Sequence, residues 1–244
     1  INSSPKIKII DGKKMNFSSL KIAVAGLGTV GLGVIDIISK HCEMLHKRTG
    51  RKFEIVVVCA KNKNKKRSFN LKDFEWENDL KNLSSRKNID VVIELIGGSD
   101  GPALDLVTAA LSSKKHVITA NKALIAKHGN ELIKIAEEKK VLLKFEASVA
   151  GGIPCIKTLS ESLSGNKIKK IMGVLNGTCN YILTEMENKN KSYDDVFQEA
   201  KDLGYVEADP KLDIGGIDSA QKLAILSSIA FGTKIYFDNE NTNG

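Results

Sequence analysis

Residues 21–31 read KIAVAGLGTVG and join an apolar strand pattern to three glycines at fixed spacing. The glycine loop, Gly26-Leu27-Gly28-Thr29-Val30-Gly31, satisfies G-x-G-x-x-G directly after the strand pattern and opens a helical pattern. Gly26 permits a tight turn, Gly28 lacks the Cβ that would block a pyrophosphate, and Gly31 allows close packing of helix on strand. This context predicts a dinucleotide-binding turn, the alternative being a tight turn that holds no ligand.

Around this loop the chain alternates apolar strand patterns with amphipathic helical patterns. We therefore predict an α/β fold with a doubly wound, Rossmann-like, mostly parallel sheet. The strand patterns cover Lys21–Ala25, Glu54–Ala60, Val91–Leu95, His116–Thr119 and Val141–Phe145. The helical patterns between them cover Val30–Leu45, Pro102–Leu111 and Gly129–Lys139.

The pattern changes after Gly151-Gly152, and we place a domain junction near Ala150. The later elements are predicted as helix Ile153–Leu163, strand Ile168–Leu175 and helices Tyr181–Glu187, Ser192–Leu203 and Gly216–Phe231. Ser192 and Asp195 form a plausible capping box. The predicted domains are an irregular lead-in (1–19), a dinucleotide-binding domain (20–150) and a smaller α+β substrate domain (151–244), truncated at its C-terminus.

Composition excludes several classes of protein. With 42% hydrophobic and 27% charged residues and no apolar run of membrane-spanning length, the sequence predicts a globular, cytoplasmic protein with no membrane partner. The four cysteines lack metal-ligand spacing, which favours reduced thiols. The net charge of +8 is concentrated partly in residues 61–67, but aromatics make up only 5% of the chain, so nucleic acid is not an expected partner.

The basic residues 61–67 follow the second strand pattern. An NAD site usually has Asp or Glu at this strand end, whereas here the strand ends Cys59-Ala60-Lys61. Lys61, Lys63 or Arg67 could meet a 2′-phosphate, which favours NADP as the cofactor, with NAD possible. The alternative is a disordered lysine loop.

Two further segments are candidates for ligand contacts. Lys122 follows the strand pattern that ends at Thr119, and strand carboxyl ends face the ligand crevice of a doubly wound sheet. A solvated surface lysine is the alternative. The segment Glu146–Pro154 is rich in small residues, so it could hold a hard cation through oxygen ligands or serve as an interdomain hinge.

The segment Gly204–Lys222 carries the densest set of acids. Asp218 and Lys222 are four residues apart and share one helix face, either as an exposed ion pair or as an acid beside an ammonium that protonates a developing alkoxide. Glu207 and Asp213, predicted on loop, could bind an ammonium or hydroxyl group of a polar substrate.

Taken together, these segments resemble the homoserine dehydrogenases. The residues that carry the resemblance are the glycine loop, Ile118–Lys122, Glu146–Pro154, Gly173–Ile182 and Gly204–Lys222, and the similarity extends from Leu20 to Gly232. The resemblance implies reversible reduction of L-aspartate 4-semialdehyde to L-homoserine with NAD(P)H, in the branch toward threonine, methionine and isoleucine. It also implies a homodimer or higher homo-oligomer.

The resemblance assigns roles to individual residues. Lys222 matches the proton donor to the carbonyl oxygen, Asp218 the acid that supports it, and Lys122 the lysine between nicotinamide and substrate. Glu207 matches the residue that holds the substrate ammonium, and Asp213 a further substrate-site acid. A monovalent cation, usually sodium, is bound in the family at positions that match Glu146, Val149, Gly151 and Ile153.

Alternatives to an active homoserine dehydrogenase stay open. Family members continue well past Phe231-Gly232, so the chain could be a fragment or an inactive nucleotide-binding module. Aspartate-semialdehyde dehydrogenase shares the substrate and cofactor, but it requires a thiolate nucleophile, for which Cys155 and Cys179 would be the candidates.

Overall fold

The computed structural model describes residues 19–206 and 211–238, so the lead-in (residue 19 excepted) and Glu207 lie outside the described residues. The chain divides into two compact units: the first takes in Ile1–Leu124 and Glu131–Phe145, the second Ile125–Asn130 and Glu146–Gly244. Compactness alone does not define an independently folding domain, so the predicted limits at 20, 150 and 151 stay predictions.

The first unit contains a six-stranded, wholly parallel sheet, which confirms the predicted doubly wound fold. Its strand order is β3-β2-β1-β4-β5-β6, so the order reverses between β1 and β4. The strands are β1 (Leu20–Ala25), β2 (Phe53–Cys59), β3 (Glu75–Glu77), β4 (Val91–Glu94), β5 (His116–Thr119) and β6 (Leu143–Lys144).

Apolar residues cover both faces of this sheet. Neighbours along β1 alternate between two buried clusters, Ala23 in one and Val24 in the other, and Val57 and Val58 of β2 divide in the same way. Burial on both faces explains why the strands carry continuous apolar runs rather than alternating ones.

Five helices of the described chain belong wholly or partly to this unit: α1 (Thr29–Lys40), α2 (Cys42–Thr49), α3 (Leu80–Ser85), α4 (Pro102–Ser112) and α5 (Lys122–Lys139). The predicted helix Val30–Leu45 is wrong in detail, since His41 separates α1 from α2. Lys122, which follows the strand pattern that ends at Thr119, is the first residue of α5, because Asn121 caps that helix. Strand β3 and helix α3 were not predicted.

The described part of the second unit contains helices and no strand. They are α6 (Glu146–Val149), α7 (Cys155–Lys157), a π-helical segment (Thr158–Ser162), α8 (Gly177–Lys189), α9 (Tyr193–Asp202), α10 (Lys211–Ile214) and α11 (Ile217–Phe231). The predicted strand Ile168–Leu175 is wrong: a strand needs a hydrogen-bonded neighbour, and every described strand belongs to the first unit's sheet. The Ser192 cap is confirmed, because its Oγ accepts from the Asp195 amide at 3.3 Å and donates to Oδ2 of Asp195 at 2.6 Å.

Within residues 19–206 and 211–238, none of the helices combines the length and the apolar character needed to cross a membrane.

Candidate active site

The glycine loop forms the turn between β1 and α1, as predicted. Gly26 has φ +97°, and a Cβ there would lie 2.2 Å from the Leu95 carbonyl oxygen; a Cβ on Gly31 would lie 2.0 Å from the Gly26 oxygen. Both positions therefore require glycine. At Gly28 no protein atom lies within 4 Å of an added Cβ, so this side of the turn is open.

The start of α1 is suited to an anion. Gly28 precedes the helix with extended backbone and no side-chain cap, and Thr29 and Val30 are exposed. The first amides of a helix lack partners within the helix and attract phosphate oxygens. Beside the turn lies a cavity of ≈ 830 Å³, lined by residues that include Leu27, Gly28 and Lys61. Turn, helix start and cavity together provide space and amide groups for a dinucleotide.

The basic loop after β2 has a defined conformation around Arg67. Its guanidinium donates to the carbonyls of Asn62 (2.6 Å), Lys65 (2.9 Å) and Lys63 (3.3 Å), and it lies 5.4 Å from the centre of the Trp76 ring. Arg67 therefore serves the loop itself, whereas Lys61, Lys63 and Lys65 are exposed.

Lys122 is placed by a buried asparagine at the carboxyl end of β5. Asn121 Oδ1 accepts from the Leu124 amide at 3.1 Å, which caps α5, and Nδ2 donates to the Gly98 carbonyl at 2.7 Å. Lys122 is half-buried in the first turn of this helix, next to the loop that follows β4.

In the second unit the structure brings together Asp218, Lys222 and Asp213. Lys222 Nζ donates to Asp218 Oδ2 at 2.8 Å and to the Leu175 carbonyl at 2.8 Å. The side chain of Asp218 is 5% exposed and that of Lys222 19% exposed. The pair is thus largely withdrawn from water, where a charge pair interacts more strongly than at a surface.

Asn176 joins the two acids and was not assigned a role from the sequence. Its Nδ2 donates to Asp213 Oδ1 at 2.9 Å and to Asp218 Oδ2 at 3.0 Å, and its Oδ1 accepts from the Cys179 amide at 2.8 Å. Because Oδ1 caps α8, the amide orientation is fixed and both Nδ2 protons are used. The signal that could have found it is an asparagine preceding a helical pattern.

The charges of this cluster favour a cationic ligand group. Two carboxylates and one ammonium leave one net negative charge near Asn176. Glu207, the predicted ligand of the substrate ammonium, lies outside the described residues.

The thiol of Cys179 lies next to the same acids. Its Sγ donates to the Asp213 carbonyl at 3.3 Å, and burial, followed by the charges of Asp213 and Asp218, raises its pKa. Cys59, buried in β2, has its pKa raised to about 11, chiefly by burial. A raised pKa keeps a thiol protonated, so neither sulfur has the character of a thiolate nucleophile.

Glu146 has a structural task in the segment predicted to bind a cation. Its carboxylate accepts from the amides of Ile156 (2.9 Å) and Lys157 (2.8 Å) at the start of α7. Val149 is buried, whereas Gly151 and Ile153 are exposed. In the described part of the chain no group of three or more His, Cys, Asp or Glu side chains could hold a metal ion.

Comparison with known proteins supports both halves of this description. A sequence model described as the NAD binding domain of homoserine dehydrogenase matches residues 26–146, and one described as homoserine dehydrogenase matches residues 154–244. The homoserine dehydrogenase of Pseudomonas aeruginosa is 46% identical over 225 residues, covering 92% of this chain and 51% of that protein.

Two crystal structures show the same relationship. A homoserine dehydrogenase from Thiobacillus denitrificans matches with a TM-score of 0.84 and 43% identity, covering 93% of this chain and 52% of that one. A putative homoserine dehydrogenase from Archaeoglobus fulgidus matches with a TM-score of 0.77 and 30% identity, covering 91% and 74%. The chain spans about half the length of the Pseudomonas and Thiobacillus proteins.

A parallel sheet whose order reverses beside a glycine turn defines a Rossmann-type dinucleotide-binding protein. The match over residues 154–244 and the relatives named above then identify the family of dinucleotide-binding proteins. The chain belongs to the homoserine dehydrogenase family.

Proposed function

We propose that this chain reduces L-aspartate 4-semialdehyde reversibly to L-homoserine with NAD(P)H, the reaction that leads toward threonine, methionine and isoleucine. The observation that carries the proposal is the buried pair of Lys222 and Asp218, tied to Asp213 through Asn176, in a member of this family. Because the chain spans about half of its relatives, catalysis by this chain alone is part of the proposal.

Lys222 is proposed as the proton donor. An ammonium has three N–H groups, and Lys222 directs two of them to Asp218 and to the Leu175 carbonyl. The third is available to donate to the substrate oxygen as that oxygen becomes an alkoxide. Asp218 holds the ammonium in place. A bound nicotinamide supplies or accepts the hydride.

Binding of the amino acid part of the substrate is assigned to the acids. Asp213, fixed by Asn176, is proposed to hold a polar group of the substrate, and Glu207 its ammonium. Lys122, at the start of α5, is proposed to contact both nicotinamide and substrate.

NADP is proposed as the preferred cofactor. Strand β2 ends in Cys59 and is followed by Ala60 and Lys61, so the strand end does not carry the acid that usually binds the ribose hydroxyl of NAD, and the lysines Lys61 and Lys65 line the cavity. A hyperthermophilic archaeal homoserine dehydrogenase with a TM-score of 0.77 and 29% identity was crystallised in complex with NADPH. NAD stays an alternative.

A monovalent cation, sodium in the first instance, is proposed to bind through the backbone of Val149, Gly151 and Ile153. Glu146 would support this site indirectly, because its carboxylate already holds the start of α7. A homo-oligomeric state and a cytoplasmic location stay predictions.

The test is an assay of homoserine-dependent reduction of NADP⁺ and, separately, NAD⁺ by the chain and by Lys222→Met. Methionine keeps the aliphatic stem and removes the ammonium, so turnover should fall by roughly 10²–10⁴-fold, the usual contribution of a positioned acid or base. Affinity for NADPH, followed by fluorescence titration, should be unchanged. Equal turnover of both proteins would contradict the role of Lys222.

Two alternative functions are tested by the same assays, applied to the wild-type chain and to two cysteine variants. NADPH binding without homoserine-dependent turnover would identify a nucleotide-binding module. Loss of turnover in Cys155→Ser or Cys179→Ser would favour a thiol-dependent semialdehyde dehydrogenase. We expect both serine variants to stay active, because the proposed reaction forms no covalent intermediate with a thiol. Burial and two aspartates also keep the Cys179 pKa high.

A further inference from the structure

Glu94 is a fully buried acid with no part in the proposed reaction. It is the last residue of β4, the strand that lies beside β1 where the strand order reverses. The crevice at such a reversal is where doubly wound sheets bind their ligands. Burial of an acid is costly unless its oxygens are hydrogen-bonded, so its contacts indicate its task.

Both oxygens of Glu94 have partners. Oε1 accepts from the amides of Ile96 at 2.7 Å and Gly97 at 3.1 Å, and Oε2 accepts from the Thr119 hydroxyl at 2.5 Å. Thr119 Oγ1 in turn accepts from the Asn121 amide at 2.9 Å. The carboxylate therefore connects the loop after β4 to the end of β5.

This connection reaches the glycine turn on one side of the crevice and the start of α5 on the other. The Leu95 carbonyl oxygen lies only 2.2 Å from the position that a Cβ on Gly26 would take, so the loop that Glu94 holds packs against the glycine turn. On the other side, Asn121 caps α5, where Lys122 stands, and binds the Gly98 carbonyl. Gly97 and Gly98 both have positive φ, at +88° and +84°, so the loop has a conformation that few sequences would hold unaided.

A buried lysine joins the same two strands at their opposite ends and offers a comparison. Lys115, just before β5, donates to the carbonyls of Arg86 at 2.6 Å and Ile89 at 2.9 Å, just before β4. It is 6% exposed, so it is also a buried charge that joins β4 and β5. Only the Glu94 end faces the crevice.

We propose that Glu94 is a positioning residue of the dinucleotide site, which sets the loop Leu95–Gly98 and the start of α5 in the arrangement that receives the cofactor. This inference rests on the proposed function, since it assigns Glu94 to that function's cofactor site. Glu94 acts through the backbone that it holds, and Thr119 is the group through which it reaches Asn121.

Three substitutions in the full chain separate this role from simple stability. Glu94→Gln keeps an oxygen for the two amides, but its NH₂ group cannot accept a hydrogen bond, so the Thr119 hydroxyl proton loses its acceptor. Thr119→Val keeps the shape and removes the hydroxyl, whereas Thr119→Ser restores it. Lys115→Met is the matched control, a buried charge removed from the other end of the same strands.

The readouts are the dissociation constant for NADPH, the melting temperature, and amide hydrogen exchange of the cofactor-free protein at Ile96, Gly97 and Asn121. Glu94→Gln and Thr119→Val should weaken NADPH binding about tenfold, the lower end of what partners that orient ligand-binding groups contribute at metal sites. Both should speed exchange at these amides. Thr119→Ser should behave like wild type, and Lys115→Met should lower the melting temperature with NADPH affinity intact.

Unchanged NADPH affinity in Glu94→Gln and Thr119→Val would overturn the role of Glu94, as would an equal loss of affinity in Lys115→Met. Failure of the wild-type chain to bind either NADPH or NADH would instead overturn the proposed function. The wild-type titration therefore distinguishes the two failures.

Discussion

Two buried asparagines, one in each site region, cap helices in the same way and then diverge. Asn121 caps α5 and Asn176 caps α8, each through Oδ1, and each donates from Nδ2 to a more distant segment. The Nδ2 of Asn121 binds the backbone carbonyl of Gly98, whereas that of Asn176 binds two carboxylates. A capping asparagine therefore positions backbone groups in the first region and charged side chains in the second.

The difference indicates how the two regions divide the work. A region that arranges backbone amides and carbonyls presents a surface for a bound molecule, whereas a region that holds an ammonium beside a carboxylate prepares a proton transfer. Substitutions in the first region should therefore change cofactor affinity, and substitutions in the second should change kcat.

Among the substitutions that test this comparison of the two regions, the largest effect is expected at Asn176. Asn176→Ser retains a residue that caps helices well, but it removes the NH₂ that joins Asp213 to Asp218. We expect kcat to fall about 100-fold, because Asp218 loses a hydrogen bond and faces Asp213 without the intervening donor. The melting temperature should change little, and steady-state kinetics with a thermal melt measure both.

Ser192→Ala is the matched control for Asn176. It removes the N-cap of α9 in the same unit. The hydrogen bonds that the structure shows for the Ser192 side chain are to Asp195 and not to Asp213 or Asp218. The substitution should therefore lower the free energy of unfolding by about 1 kcal/mol and leave kcat unchanged. If Asn176→Ser kept full turnover, Asn176 would be a cap alone and the contrast with Asn121 would disappear.

The contrast between these asparagines also shows how far sequence reasoning could go. The glycine turn and the pair of Asp218 and Lys222 depend on short spacings, which the sequence displays directly. The link from Asn176 to Asp218 spans 42 positions, so only the fold reveals it. The parallel sheet was predicted because its strands are apolar runs, whereas the apolar pattern at 168–175 indicated a strand wrongly, since a pattern does not supply a neighbouring strand.

A smaller effect is expected in the first region, at the glycine turn. Gly28→Ala places a methyl group in open space, so stability should hold while NADPH affinity falls about tenfold, because the methyl group blocks the approach of the pyrophosphate. Gly26→Ala should instead destabilise the protein by roughly 2–4 kcal/mol, through strain at positive φ and a clash with Leu95. Titration of NADPH beside urea unfolding separates the two. A similar loss of stability in both variants would contradict the conclusion that the space beside Gly28 is open.

The smallest change in cofactor affinity is expected for the basic loop after β2. It tests whether the backbone conformation of this loop also determines the preference for NADP over NAD. Arg67→Lys preserves the charge, but an ammonium cannot reproduce the planar fork that binds the carbonyls of Asn62, Lys63 and Lys65. If Arg67 acts by shaping the loop, NADPH affinity should fall about threefold to fivefold, the order of a partly exposed charge contact, while NADH affinity holds. Lys63→Ala removes a positive charge but keeps the backbone carbonyls that the Arg67 guanidinium binds. It therefore measures how much the charge of Lys63 alone contributes to NADPH affinity. If Arg67→Lys left the ratio of NADPH to NADH affinity unchanged, the loop's shape would not affect how the lysines contact the cofactor. The effect of backbone arrangement on cofactor binding would then be limited to the glycine turn and the Glu94 contacts.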